Sequence, residues 1–237
     1  MREAQTKFVS SYPSDATPNA YTNFNSTIVG PTQWGLGLPD IVQGDTDYNR
    51  QGDTIKPRQH KVALDIRFTA GSLGFPHDVT VVVYYGVCKK FKSWTDVQTN
   101  SLALCDELLR LGGVNGAGEE TQSFNGIQSD SHLSINTDVW NLKKVTFRLN
   151  KAPGVLNGAA GAGVLSQGNK ASHAVLLDYA SFLPAELKYD TSTAQIPVNY
   201  APVWSIGYYY NDPTAPDTGL TGICEYKANR FLTYKDF

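Results

Sequence analysis

Between His60 and Thr69 the chain alternates, with Val62, Leu64, Ile66 and Phe68 set against Lys61, Ala63, Asp65 and Arg67. A period of two puts the four apolar side chains on one face, the pattern of a strand with one side on a core. The next run, Asp78–Lys89, is apolar on both faces. Val79, Val81, Val83, Tyr85 and Val87 take one side and Val82 and Tyr84 the other, which predicts a strand covered on both sides. Two such strands in succession constrain the fold to packed layers of sheet.

Further strands are expected at Ser131–Asn136, Leu142–Asn150, Ala174–Phe182, Ala185–Tyr189, Val203–Tyr210 and Ile223–Tyr234. One short helix is expected over Ser101–Leu111, where Leu104, Leu108 and Leu111 recur at helical spacing and Gly112-Gly113 follow as a stop. Ser93-Trp94-Thr95-Asp96 has capping-box form, enough for a short turn. Eight strands with one helix predict an all-β fold, an eight-stranded single jelly roll of two packed antiparallel sheets with long loops. Residues 1–57 are polar and irregular and are read as an extended N-terminal arm and lead-in. Gly35 and Gly37 interrupt the cluster Trp34, Leu36, Leu38, which argues against a strand there. Residues 58–237 form the jelly-roll domain. The Gly-rich connection Ala152–Ser172 is expected to be an exposed loop.

Composition agrees. Tyr (13), Gly (21) and Pro (12) are prominent, and charged residues are 18%, below the roughly 25% of an average domain. The net charge of −2 gives the domain as a whole no electrostatic signature of nucleic-acid binding. Cys88, Cys105 and Cys224 are too few and too odd for a disulfide framework, and free thiols in a reducing compartment are expected. No apolar stretch approaches the ~18 residues of a membrane span and no signal peptide opens the chain, so no membrane partner is expected.

Motifs for chemistry are sparse. Asp45-Thr46-Asp47-Tyr48-Asn49 begins like a calcium loop, but Arg50 stands where the loop needs Gly and Lys56 where it needs a bidentate Glu. His60, His77, His132 and His173 are scattered singly, so no metal site is expected. Glu119-Glu120 point to opposite faces of any strand and suit a solvated loop. The sequence holds neither a G-x-S-x-G elbow nor a phosphate loop, and Gly158–Gly163 lacks the following Lys-Ser or Lys-Thr. No catalytic residue, cofactor or enzymatic activity is therefore expected. Lys89-Lys90-Phe91-Lys92 is the densest basic run; with its aromatic it suits either a solvated edge or a grip on single-stranded nucleic acid.

Two phrases carry a family resemblance. Asn49-Arg50-Gln51-Gly52-Asp53-Thr54-Ile55 leads into the strand at His60, and Arg230-Phe231-Leu232-Thr233-Tyr234-Lys235-Asp236 closes the chain. With Pro197-Val198-Asn199 ahead of the strand Trp204–Tyr210, they resemble the capsid proteins of small circular single-stranded DNA viruses, over about Asn49 to Asp236. The resemblance implies a subunit that associates with itself into an icosahedral shell around a single-stranded DNA genome. It also implies a place in the virion after assembly in the host cell, the nucleus included, and leaves any host receptor open. Family members usually begin with an Arg-rich arm, whereas Arg2 and Lys7 are the basic groups before Arg50 here.

In a jelly roll the first and last strands are neighbours. Lys61 and Arg67 are then expected near Lys227 and Arg230 and, with Lys56 and Arg58 in the lead-in, to form a modest basic patch. The resemblance puts that patch inside the shell as a nucleic-acid contact; intersubunit salt bridges are the alternative. Other functions consistent with the pattern are the coat protein of a small RNA or satellite virus, a carbohydrate-binding jelly-roll lectin using strand-borne aromatics, and a β-sandwich glycosidase.

Overall fold

The computed structural model describes residues 6–11, 21–29, 34–69, 78–114, 116–150, 171–211 and 223–236. The loop expected over Ala152–Ser172 lies outside them as far as residue 170. The chain is mostly β, with antiparallel sheets packed together and two short helices. In chain order the strands are β1 (Thr6–Ser11), β2 (Thr22–Phe24), β3 (Trp34–Leu36), β4 (Thr54–Phe68), β5 (Val79–Cys88), β6 (Leu109–Arg110), β7 (Thr121–Gln122), β8 (Ser134–Ile135), β9 (Trp140–Leu149), β10 (Ser172–Asp178), β11 (Leu187–Lys188), β12 (Pro202–Tyr210) and β13 (Cys224–Asp236). The first sheet runs β1-β13-β4-β10, with β2 also on β13 and β11 also on β4. The second runs β3-β12-β5-β9, and β7-β6-β8 make a small third sheet.

Strand β4 behaves as its alternation requires. Val62, Leu64, Ile66 and Phe68 are buried against the second sheet, while Lys61, Ala63, Asp65 and Arg67 face outward. The strand starts earlier than expected, at Thr54, because a bulge lets it continue past Pro57. Thr233 faces Gln59 and Tyr234 faces Pro57, so Arg58 has no partner in the register. Strand β5 is covered on both sides. Val79, Val81 and Val83 enter the core between the large sheets; Val82, Tyr84 and Cys88 enter a second core against the helices and the small sheet. Each such side chain stabilises the fold by about 1.5–3 kcal/mol relative to exposure. Gly86 is required for a backbone reason: its φ is 152°, and a Cβ there would lie 2.1 Å from the Asn141 carbonyl oxygen of β9.

Four expectations need correction. The Ser131–Asn136 strand is instead a 3₁₀ turn over Ser129–His132 followed by the two residues of β8. The Ala185–Tyr189 strand shrinks to Leu187–Lys188. The single helix divides at Asn100 into α1 (Trp94–Thr99) and α2 (Ser101–Asp106). The Ser93 hydroxyl caps α1 by accepting from the Asp96 amide, and Asn100 donates its side-chain amide to the Asp96 carbonyl. Leu104 and Leu108 are both buried, but Leu108 lies beyond α2, in a turn closed by its own amide on the Cys105 carbonyl. Leu111 is only half-buried, so helical spacing reported burial at two of three positions and secondary structure only in part.

The fourth correction concerns residues 1–57. The described part is built into the sandwich: β1 pairs with β13, β2 extends that pairing, and β3 pairs with β12. Leu38, Ile41 and Ile55 are fully buried. Gly35 does not break the strand. It stands opposite Trp204 in the β3–β12 register, and a Cβ there would come within 2.4 Å of the indole. The glycine is the form this strand must take beneath a tryptophan.

Candidate nucleic-acid interface

In an antiparallel sheet, residues directly opposite one another share a face. The register therefore sorts the expected basic patch. Lys61 is flanked by Phe231 and Asp178, Asp65 by Lys227 and Ala174, Arg67 by Glu225 and Ser172, and Lys56 faces Lys235. These residues lie together on the outer face of the first sheet, with Arg58 exposed at the bulge. Across β13, β4 and β10 that face carries five cations, Lys56, Lys61, Arg67, Lys227 and Lys235, against three carboxylates, Asp65, Asp178 and Glu225.

The charges are interleaved. Arg67 donates from Nε to Glu225 Oε1 at 2.6 Å and lies 3.5 Å over the Tyr21 ring, whose hydroxyl donates to Asp65 Oδ2 at 2.6 Å. That hydrogen bond, then burial, raises the Tyr21 pKa and keeps the phenol protonated as donor. Exposed ion pairs of this kind contribute about 0–1 kcal/mol each. They also reduce the field available to a phosphate.

Arg230 is a correction. Its register partner is Val62, so it belongs to the inner face, where Nη1 donates to the Leu38 carbonyl at 3.2 Å. It does not join Lys61 and Arg67. The run after β5 is elsewhere again: Lys89 donates to the Thr137 carbonyl at 2.5 Å, and Lys90 holds both Glu107 carboxylate oxygens at 2.6 and 2.7 Å. Lys92 is exposed beside them. The nine expected contacts therefore fall into three places: the outer face of the first sheet, its inner face, and the end of β5.

Several polar groups hold the fold together in roles that no sequence pattern assigned. Arg50 is fully buried and donates to the carbonyls of Gly52, Thr191, Ser192 and Ala194 and to Asp53 Oδ1, with its guanidinium 4.2 Å from the Tyr189 ring centroid. This fork ties the 43–53 loop to the 191–194 loop. Asp236 Oδ2 accepts from the buried Lys7 ammonium at 3.2 Å and from the Gln51 amide at 2.6 Å, while Ile55 faces Asp236 in the register. The two phrases that carried the resemblance are thus in contact.

His60 sits between the sheets, stacked on Tyr179 at 4.4 Å. Nε2 lies 2.9 Å from the Gly37 carbonyl, which accepts only, so Nε2 carries the hydrogen and Nδ1 accepts from the Tyr200 hydroxyl at 3.0 Å. Burial lowers its pKa to about 4, leaving a neutral, structural histidine.

All three cysteines are buried free thiols, and burial raises the pKa of each, which suppresses thiolate chemistry. Among the described residues no three His, Cys, Asp or Glu side chains stand together as a metal site. Among them, too, no helix is long and apolar enough to cross a membrane. No protein-family model matches the chain, and no curated protein does.

Proposed function

We propose that this chain is a viral coat-protein subunit, a single jelly roll that self-assembles into a small icosahedral shell around a single-stranded DNA genome. The observation carrying the reading is the strand order. Taking only the four-strand path through each large sheet, and numbering those strands along the chain, the first sheet reads 1-8-3-6 and the second 2-7-4-5. This order in two antiparallel sheets supports reading the chain as the double Greek key of a jelly roll, a fold shared by capsid proteins, lectins and cupins.

Fold alone does not choose among these, so the surface has to. Trp204, Tyr208 and Tyr209 of β12 are buried, which removes them as a stacking platform for sugars. Nine large apolar side chains are exposed among the described residues, four of them Phe8, Val42, Tyr48 and Val198. These four come from β1 and the loops around 40–48 and 198, surfaces that a subunit would cover on assembly. The DNA genome follows from the family resemblance, with a small RNA or satellite virus coat as the alternative.

The test is sedimentation of the purified chain across protein concentration and salt, with negative-stain imaging of the fast fraction. Closed particles of uniform size are expected. A monomer throughout would overturn the proposal.

A further inference from the structure

The first large sheet ends in β1 and β10 and the second in β3 and β9. An exposed edge strand invites pairing with another chain unless something blocks it. Three of these edges carry a block. Strand β1 turns the charged Lys7 inward, β3 is three residues long, and β9 displays Lys143, Lys144 and Arg148. Strand β10 has none of these devices. Its seven residues, Ser172–Asp178, include no Pro, Lys or Arg and run against β4 without a bulge. No strand among the described residues pairs with its far side.

The hydrogen-bonding groups along that far side can be assigned. Phe68 donates its amide to the Ala171 carbonyl at 3.1 Å, and Tyr179 donates to the His60 carbonyl at 3.0 Å. Antiparallel bonding alternates along a strand, so His173, Val175 and Leu177 turn their backbone groups towards β4. Ser172, Ala174, Leu176 and Asp178 turn theirs away from it. The side chains of these same four residues are exposed, Leu176 at 55%. The edge thus offers a row of backbone donors and acceptors beside an apolar side chain.

We infer that β10 pairs antiparallel with β10 of a second copy about a two-fold axis, joining the first sheets of two subunits into one. The strand is complementary to itself in one register. Overlap of all seven residues puts the axis at Val175 and makes every outward-turned residue a hydrogen-bonded pair. Ala174 then faces the partner's Leu176, and Ser172 faces the partner's Asp178. Leu176 is enclosed between its own Ala63 on β4 and the partner's Ala174. The charges match as well. Asp178 lies beside its own Lys61 and the partner's Ser172, with the partner's Arg67 on the next strand, so the carboxylate has a cation on either side. A register centred on Asp178 would instead set two carboxylates against each other. Such an isologous contact suits the two-fold axes of a closed shell, and its place there rests on the coat-protein reading. The pairing itself needs no shell.

The experiment uses the full chain in dilute solution, below the concentration at which particles form. Amide hydrogen exchange is followed by NMR while sedimentation reports the dimer fraction. As dimers form, the Ala174 and Leu176 amides should slow about tenfold or more, whereas Val175 and Leu177, already bonded to β4, should change little. Ala174→Pro deletes an N–H that β4 does not use, and proline is tolerated at such an edge position. It should weaken dimerisation at least about tenfold with the thermal midpoint unchanged. Val175→Cys puts two thiols at a non-hydrogen-bonded pair with Cα atoms about 4.5 Å apart, close enough to bridge. Oxidised glutathione should then give a disulfide dimer, since the three native thiols are buried. Leu102→Cys, 59% exposed on α2, is the control for random collision. A monomer at every concentration, parent affinity in Ala174→Pro, or no more dimer from Val175→Cys than from the control would overturn the inference. The exchange measurement needs no variant, so a misfolded substitution does not remove the test. Dimers that never close into shells refute the coat-protein reading alone, whereas shells formed without this pairing refute the pairing alone.

Discussion

His60 converts the packing between the sheets into a pH dependence that can be measured. Its folded pKa is lowered from 6.5 to about 4 by burial. The unfolded chain therefore takes up the proton first, so stability contributed by neutral His60 is fully present above about pH 6.5. It is lost as pH falls towards 4 and does not change further below that. The gap corresponds to about 3 kcal/mol at 1.36 kcal/mol per pKa unit, an order-of-magnitude figure.

The physical origin is specific. Protonation would put a donor on Nδ1, where the ring now accepts from Tyr200, and a charge against Tyr179 in a fully buried site. The assay is urea unfolding of the dispersed subunit at pH values from 8 to 4, for the parent and for His60→Gln. The variant can keep a donor to Gly37 but has no imidazole to titrate. Carboxylates titrating in this range are common to both proteins and cancel in the difference. The stability of the parent relative to the variant should fall by about 3 kcal/mol between pH 7 and pH 4. A difference that stays flat over that range would refute the reasoning, as would an imidazole titrating near 6.5 by NMR.

Arg50→Lys should destabilise by about 3 kcal/mol or more in urea unfolding, because one ammonium cannot reach the four carbonyls that the guanidinium fork satisfies; stability unchanged within error would show the fork to be incidental. Gly86→Ala should lower the thermal midpoint sharply, since about 1–3 kcal/mol of backbone strain adds to a contact with the Asn141 carbonyl oxygen. Removing residues 1–11 should reduce stability by at least about 2 kcal/mol by uncovering β13 and leaving Asp236 without Lys7; a truncated chain as stable as the parent would show that β1 adds nothing to the sandwich.

The alternation at His60–Thr69 and the double-sided apolar run at Asp78–Lys89 were legible because strand periodicity and burial are local properties. That the first and last core strands are neighbours was also legible, and β4 does pair with β13. Eight strands were counted and eight form the paths through the large sheets, but with two different members. Ser131–Asn136 and Ala185–Tyr189 have strand-like composition yet pack as turns and two-residue bridges. Thr6–Ser11 and Trp34–Leu36 look polar or glycine-broken, and they are strands because β13 and β12 offer them open edges. That information lies in the partner and not in the segment. The candidate site was legible as a list of cations. Which face each occupies depended on register, so Arg230 parted from Lys61 and Arg67. Arg50, Lys7 and His60 carried no sequence signal of their roles, because their partners are backbone carbonyls or residues up to 229 positions away.

The most direct test of the central claim is cryo-electron microscopy of the chain after purification under assembly conditions. The account predicts closed icosahedral shells whose subunits trace 1-8-3-6 and 2-7-4-5 through the two sheets, with density for nucleic acid inside. Monodisperse monomers or small open oligomers at every concentration and salt would contradict it.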